Sequence, residues 1–364
     1  MEITAAVLRA GDQPYSIEQV TLGDPRPDEV VVRIVGAGMC HTDVLPRDAA
    51  TISPPPIICG HEGAGVVEVI GDAVTGVAVG DHVVVSFESC GQCAACQASR
   101  PYACEQFWLL NLLGRRGDFS TAVTDASGAE IPSRWFGQSS FATHCLATER
   151  NVVVVDPALP LEKLGPLGCG IQTGAGSVLS ADALDVQPGT SIVIFGTGAV
   201  GLAALMGAVV AGASTIIAVD LHQHRLDLAT ELGATHTILG DDANIVGRVM
   251  EITGPGAHYA VDTTGNVAVS KTAMGCVRLG GAGALVGAQT ADLVLDTLSV
   301  VGKRAIWVLE GNADPKAFIP RMIELWQAGR FPFDRLIEEF PLSEIDAAEE
   351  ASLSGRVIKP VLRP

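Results

Sequence analysis

The run "SIVIFGTGAVGLAALMGAVVAGASTIIAV", residues 191–219, contains no charged side chain, and it limits what this chain can fold into. A segment that apolar either crosses a bilayer or is buried on every side. Its internal grain decides between the two. A β-branched run over Ser191–Phe195 meets a glycine turn, an Ala/Leu/Met/Val helix follows, and after Gly212 a second β-branched run ends in Asp220. That is strand–helix–strand, and parallel strands covered on both faces read as unbroken apolar runs. The membrane reading is set aside.

The same rhythm continues on both sides of this run. It predicts strands at Ser191–Phe195, Thr215–Val219, His236–Leu239, Ala260–Thr263 and Ala284–Gly287 with helices between them. Such an order makes an α/β fold, a doubly wound parallel (Rossmann) sheet over residues 171–308. Residues 1–170 instead alternate short β-branched runs ("EVVVRIVGAG", "DHVVVSF", "NVVVVDP") with Gly and Pro turns, predicting a largely antiparallel or barrel-like β-rich domain. The tail, 309–364, reads as helix, strand, helix and strand and is assigned to the first domain. A chain of 364 residues is too long for a single core, so two domains are expected.

Within the apolar run, "GTGAVG" follows a strand and opens a helix. Gly196 permits the tight turn, Gly198 lets backbone N–H groups approach a pyrophosphate, and Gly201 lets the helix pack against the strand, with Val200 in the first turn. The helix N-terminus then faces the phosphates. Asp220 ends the next strand 19 residues after Gly201, close to the ~20 expected of a ribose-binding acid. A carboxylate there accepts from both ribose hydroxyls and repels a 2′-phosphate, which favours NAD over NADP.

The stretch "SCGQCAACQASRPYAC" spaces Cys90, Cys93, Cys96 and Cys104 as C-x2-C-x2-C-x7-C. Iron–sulfur proteins share the first part of this pattern, but their fourth cysteine typically follows after three residues and precedes proline. Here Cys104 precedes Glu105. Four thiolates on a short lobe, residues 88–106, suit a closed tetrahedral zinc with no position left for substrate, so this zinc is read as structural. A catalytic zinc needs about three protein ligands and an open fourth position. "CHTD" (Cys40–Asp43), "GHEGAG" (from His61) and "GCG" (Cys169) offer candidates, each unremarkable alone.

Charge narrows the partners. Forty-one acidic against 23 basic residues give a formal charge of −18, which argues against nucleic acid and anionic membrane. Nine cysteines, four of them clustered, fit metal ligation in a reducing compartment, and the cytoplasm is the expected location.

"CHTD", "GHEGAGVV", the four-cysteine lobe, "GCGIQTGAG" and "GTGAVGLAA…VD" together resemble the zinc-dependent medium-chain alcohol dehydrogenases over essentially the whole chain. "FWLLNLLGRRGDFS", "WFGQSSFATH" and "EGNADPKAFIPRMIELWQAGRFPFDRLI" are most similar to the aryl-alcohol (benzyl-alcohol) branch and its terpenol relatives. The resemblance implies a GroES-like catalytic domain beside the Rossmann domain, two zinc ions per chain (one catalytic, one structural), and NAD. It implies that Cys40, His61 and Cys169 bind the catalytic zinc, that Glu62 is an acid beside it, and that Asp43 orients the His61 imidazole. Thr42 would take the alcohol proton and Thr173 would lie against the nicotinamide. Arg225 would lie near the adenosine ribose and Lys359 near the pyrophosphate, the alternative for both being a solvated surface charge.

The implied reaction is reversible oxidation of a primary aryl or allylic alcohol to an aldehyde. Zinc acts as Lewis acid and NAD accepts the hydride, in an apolar slot with Ser86, Phe87 and Trp108 as wall residues. The alternatives are a glutathione-dependent formaldehyde dehydrogenase or polyol dehydrogenase of the same fold, and a non-catalytic NAD-binding zinc protein. A homodimer or homotetramer is expected. The chain departs from many relatives at Leu45, where they carry a histidine that passes the proton outward. His41, beside Thr42, is the nearest titratable group, either ending that relay or only neutralising pyrophosphate charge.

Overall fold

The computed structural model describes residues 1–48, 52–289 and 291–364. Two compact units emerge: Met1–Cys169 with Asp314–Arg321 and Asp334–Pro364, and Gly170–Ala313 with Met322–Phe333.

The second unit is built on a six-stranded sheet. Its strands lie in the order His236–Leu239, Thr215–Asp220, Ser191–Phe195, Ala257–Asp262, Val277–Leu285 and Arg304–Trp307, every pairing parallel. Strand order reverses between Ser191–Phe195 and Ala257–Asp262, and ligands of such sheets bind in the crevice outside the strand ends at that reversal. Every side chain of Ser191–Phe195 is buried, which is why five successive residues tolerate no charge. The helix Ala199–Ala211 follows and is stopped by Gly212, whose φ of 78° is the left-handed cap that a side chain would strain. Among the described residues no helix is long and apolar enough to cross a membrane.

Two differences from the sequence pattern are physical. The strands at 257–262 and 277–285 start earlier than their apolar ends suggest, because His258, Tyr259 and Arg278 extend them with polar side chains. The sixth strand, Arg304–Trp307, has no counterpart in the expected set. It is an edge strand with both end residues exposed, so it carries neither alternation nor a continuous apolar run.

The first unit holds two sheets whose pairings are almost all antiparallel. The ten-residue strand Glu29–Gly38 is the hub of one, pairing with Glu62–Ile70, His144–Thr148 and Lys359–Arg363. The other runs through Ile57–Ile58, Glu2–Leu8, Ser16–Leu22, Val123–Thr124 and Glu130–Ile131. Ile3, Val7, Val20 and Ile58 of the second sheet pack with Val31 and Leu146 of the first in one core cluster. The tail runs as helix Pro315–Gln327, strand Ile337–Pro341, helix Ile345–Leu353 and strand Lys359–Arg363. Its last strand joins the hub antiparallel, and Met39 N donates to Pro360 O at 2.9 Å. That pairing brings Lys359 beside Cys40.

Candidate active site

Three segments converge in the first unit. Cys40 precedes the 3-10 turn His41–Arg47, His61 immediately precedes the strand Glu62–Ile70, and Cys169 closes the turn Gly165–Gly168. One ligand atom from each of Cys40, His61, Glu62 and Cys169 lies within 4.8 Å of all the others. Asp43 organises the group. Its Oδ1 accepts from Gly60 N at 2.9 Å and pairs with His61 Nδ1 at 2.8 Å, while its Oδ2 accepts from Cys40 N at 3.1 Å. A carboxylate has no proton to give, so His61 carries its hydrogen on Nδ1 and presents a lone pair at Nε2. That Nε2 is buried and has no hydrogen-bond partner among the described residues.

The site's electrostatics ask for a cation. Cys169 beside it, then His61, hold the Cys40 thiol well below the usual thiol range although burial opposes them. Burial pulls the His61 imidazole down, yet Asp43 and Cys40 outweigh it and raise the group well above its usual value, so a proton fills the Nε2 position wherever no metal cation takes it. Two sulfurs and one imidazole nitrogen are the donor set of a catalytic zinc, and Cys40, Cys169 and His61 fit it, with the Glu62 carboxylate beside them paired to Lys359.

Glu62 is fully buried and its carboxylate is gripped by Lys359, whose Nζ lies 2.9 and 3.0 Å from the two oxygens and 2.9 Å from Met39 O. Burial raises Glu62 above the usual carboxylate range while Lys359 opposes it. Burial pulls Lys359 down, and the Glu62 charge overcomes it and raises the ammonium above its usual value. This corrects the reading of Lys359. It is neither a solvated surface charge nor free for a pyrophosphate, because an ammonium has three donors and all three are engaged inside this unit.

Thr42 lies two residues beyond Cys40, its Oγ1 3.8 Å from Cys40 Sγ. His41 and Leu45 are exposed. The ring of Phe136 stacks on His61, centroids 4.5 Å apart at 28°, and Phe107 and Trp135 meet Phe136 edge-on at 6.4 and 5.5 Å. Phe87 continues the cluster, 5.6 Å from Phe107. Phe136 adopts φ +50°, a conformation rare for a bulky residue. Gln138 lies two residues on, fully buried, accepting from Gly63 N and donating to His61 O, both at 2.9 Å. The motif "WFGQSS" assigns neither Phe136 nor Gln138 a role by itself. Its signal is an aromatic followed by glycine and a glutamine in an apolar setting.

Two expected wall residues need correction. Ser86 is fully buried, and its hydroxyl donates to Gly168 O at 2.6 Å, fixing the chain next to Cys169 rather than lining a slot. Trp108 is 60% exposed, and of the three expected residues Phe87 is the one buried in the cluster.

The four lobe cysteines also converge, their sulfurs all within 4.8 Å of one another. Cys90 Sγ and Cys96 Sγ are 3.9 Å apart, close to the ~3.8 Å edge of a tetrahedron of sulfurs about 2.3 Å from zinc. Backbone N–H groups of Gln92 and Cys93 donate to Cys90 Sγ at 3.4 and 3.3 Å, and those of Cys90 and Gln106 to Cys104 Sγ at 3.3 and 3.4 Å. Backbone N–H groups draw the Cys93 thiol down to about 6, whereas burial pushes Cys104 up to about 12. Four sulfurs, with no other donor in the group among the described residues, fit a closed zinc.

In the second unit the glycine loop follows Ser191–Phe195. Gly196 has φ +82°, and a Cβ on Gly201 would stand 1.7 Å from Gly196 O, so neither position accepts a side chain. A Cβ on Gly198 would meet nothing within 4 Å, leaving open space over the N-terminus of the helix Ala199–Ala211 that Val200 enters. That opening fits a pyrophosphate. Thr173 lies on the helix Gly170–Leu179 of the same unit. Asp220 ends its strand nearly buried, and Arg225 Nη1 stands 3.9 Å from its Oδ2 in the first turn of the next helix, so Arg225 is not a solvated charge. One expectation changes. Asp220 Oδ2 already accepts from Thr197 N and Oγ1, and Oδ1 accepts from His222 N, so one lone-pair position is left for the ribose instead of two.

A doubly wound sheet with a phosphate-binding glycine loop, together with a β-rich unit carrying one mixed Cys/His/Glu and one four-cysteine ligand group, defines a zinc-dependent dehydrogenase. Residues 26–156 match the alcohol dehydrogenase GroES-like domain and residues 199–323 the zinc-binding dehydrogenase family. Over 365 residues the chain is 44% identical to the geraniol dehydrogenase of Castellaniella defragrans, covering 98% of this chain and 96% of that protein. The crystal structure of benzyl alcohol dehydrogenase from Acinetobacter calcoaceticus superposes with a TM-score of 0.95 at 40% identity, over 100% of this chain and 99% of that one. An alcohol dehydrogenase zinc-binding domain protein from Burkholderia ambifaria gives 0.96 at 45%, over 100% and 99%. The chain belongs to the zinc-dependent medium-chain alcohol dehydrogenase family, whose cofactors are zinc and NAD.

Proposed function

We propose that this enzyme interconverts primary aryl or allylic alcohols, of the benzyl alcohol or terpenol type, with their aldehydes. The observation that carries the substrate class is the aromatic cluster of Phe136, Phe107 and Phe87 built against the ring of His61. Flat conjugated groups pack on such edges and faces. The substrates in the names of the geraniol and benzyl alcohol dehydrogenases support the same class. Zinc, when bound, supplies Lewis acidity to the substrate oxygen, and NAD supplies the hydride acceptor. Cys40, His61 and Cys169 hold the metal, Asp43 fixes the tautomer of His61, and Thr42 receives the alcohol proton. Thr173, Gly196, Gly198, Val200 and Gly201 receive the nucleotide, with Asp220 and Arg225 at the ribose.

A panel read by NADH absorbance tests the class. Benzyl alcohol, cinnamyl alcohol and geraniol should exceed ethanol, sorbitol and S-hydroxymethylglutathione in kcat/KM by at least about tenfold, a margin worth ~1.4 kcal/mol. Highest turnover on the glutathione adduct or a polyol would remove the aryl–allylic reading, and no turnover on any alcohol would favour a non-catalytic protein.

Proton exit uses what this chain has. Leu45 can neither accept nor donate a proton, so the relay from Thr42 ends at water or at His41. If His41 relays, His41→Gln lowers the oxidation rate near pH 7 by more than it weakens NAD binding, and small amine bases restore part of it. A raised Kd for NAD with unchanged maximal rate and pH profile would give the exit to water.

The chain is read as a cytoplasmic homodimer or homotetramer. The edge strand Arg304–Trp307, bearing Trp307 at 61% exposure near exposed Val301, supports association with a second copy, since open apolar edges are normally covered.

A further inference from the structure

We propose that Thr197 sets the choice of nucleotide: its hydroxyl locks the Asp220 carboxylate in the orientation that accepts an adenosine ribose and rejects a 2′-phosphate. The proposal rests on the reading of Asp220 as the ribose acid of an NAD site.

Glycine chemistry explains the first, third and sixth positions of "GTGAVG" and leaves the second free. In this chain that position is threonine. Asp220 Oδ2 accepts from Thr197 N at 2.7 Å and from Thr197 Oγ1 at 2.9 Å, which fills both lone-pair positions of that oxygen. Oδ1 accepts from His222 N at 2.9 Å and keeps one position open. The backbone donors would remain with any side chain at 197; only the hydroxyl depends on sequence. Arg225 does not hold the carboxylate in this way, because its Nη1 stands 3.9 Å from Oδ2, beyond hydrogen-bond distance. Thr197 is fully buried and Asp220 nearly so, which keeps water from replacing the bond.

The lock matters because charge repulsion depends on where the carboxylate stands. With Oδ2 tied back to the glycine loop, Oδ1 is the oxygen left with an acceptor position open to a nucleotide. It suits a ribose hydroxyl, and a phosphate brought to the same place meets a negative oxygen that cannot turn aside. Without the hydroxyl, Oδ2 keeps only the Thr197 N–H and has a vacant lone pair, so two backbone donors hold the carboxylate where three donors held it before. Binding of the hydroxyl form weakens, and exclusion of the phosphate form weakens with it.

The test is equilibrium binding of NADH and NADPH to the purified, zinc-loaded full chain, by titration calorimetry. The proteins are the parent, Thr197→Val, Thr197→Ser, Asp220→Ala and the Asp220→Ala/Thr197→Val double variant. The ratio of Kd for NADPH to Kd for NADH should fall by about tenfold in Thr197→Val, near the low end of what loss of a bond to a charged group implies. It should stay near the parental value in Thr197→Ser, and Thr197→Val should change it no further once Asp220 is alanine. A buried threonine with a merely structural role would lower the melting temperature and weaken both nucleotides alike, leaving the ratio unmoved; that result overturns the proposal. So does a further fall in the Asp220→Ala background. Should Thr197→Val not fold, Thr197→Cys carries the same expectation, since a thiol is a weak donor of similar size. A parent that prefers NADPH overturns the NAD reading itself. A parent that prefers NADH while Thr197→Val keeps its ratio removes only the role of Thr197.

Discussion

Cys169→Ser lowers alcohol oxidation by on the order of a thousandfold or more, with the fold retained and one zinc per chain lost. The size follows from the donor set. A serine hydroxyl replaces a thiol that stands with Cys40 and His61 in the proposed catalytic metal site, and the pKa lowering that a bound metal would provide disappears with the metal. Each tenfold loss of rate is ~1.4 kcal/mol of transition-state stabilisation. Cys93→Ser is the contrasting variant. It also removes one zinc, but from the lobe, so the melting temperature falls while the folded fraction keeps its turnover. Metal content by mass spectrometry, thermal unfolding and steady-state rates separate the two. Near-normal activity in Cys169→Ser would sink the catalytic assignment, and a fully active, fully stable Cys93→Ser would sink the structural one.

Lys359→Met destabilises the protein by about 3–5 kcal/mol, the cost of leaving one member of a buried pair behind. Glu62 is fully buried beside Cys40, and Lys359 supplies donors to both of its oxygens. Removing the ammonium strands a carboxylate next to a thiolate-rich site. The double variant Glu62→Gln/Lys359→Met should recover much of the loss, because the stranded charge is gone. Lys359→Arg should retain most of the parent's stability, though a planar guanidinium cannot reproduce the ammonium's geometry in full. Denaturant unfolding of the zinc-loaded protein measures this. A Lys359→Met midpoint equal to the parent's would show that the pair carries no such burden.

Chemistry that is local along the chain is legible from spacing alone. The lobe cysteines lie within fifteen residues, the glycine loop within six, and Asp43 within three of Cys40, so spacing reports their geometry. The doubly wound sheet is legible too, because strands buried on both faces tolerate nothing but apolar side chains. Contacts made by distant segments are not. Nothing in "GRVIKPV" says that its lysine meets Glu62, and nothing in "WFGQSS" says that Phe136 lies flat on His61. Thr197 is hidden differently: the glycines on either side of it account for the whole motif, and its own partner, Asp220, lies 23 residues away. Arg304–Trp307 escapes detection because an edge strand has too little burial to leave a pattern.

The bond between Lys359 and Glu62 spans 297 positions of chain, and this sets an order of assembly. A ribosome delivers Glu62 early, then the glycine loop and its whole sheet, and only afterwards Lys359. Domains generally fold as units as they emerge during synthesis. Here the first unit to begin is not the first that can finish, since the hub strand Glu29–Gly38 waits for Lys359–Arg363 to pair with it. The nucleotide-binding sheet, whose strands all lie between residues 191 and 307, has no such wait. In the newborn chain the half that will bind NAD is complete while the half that will hold the catalytic zinc still lacks the counter-charge for Glu62.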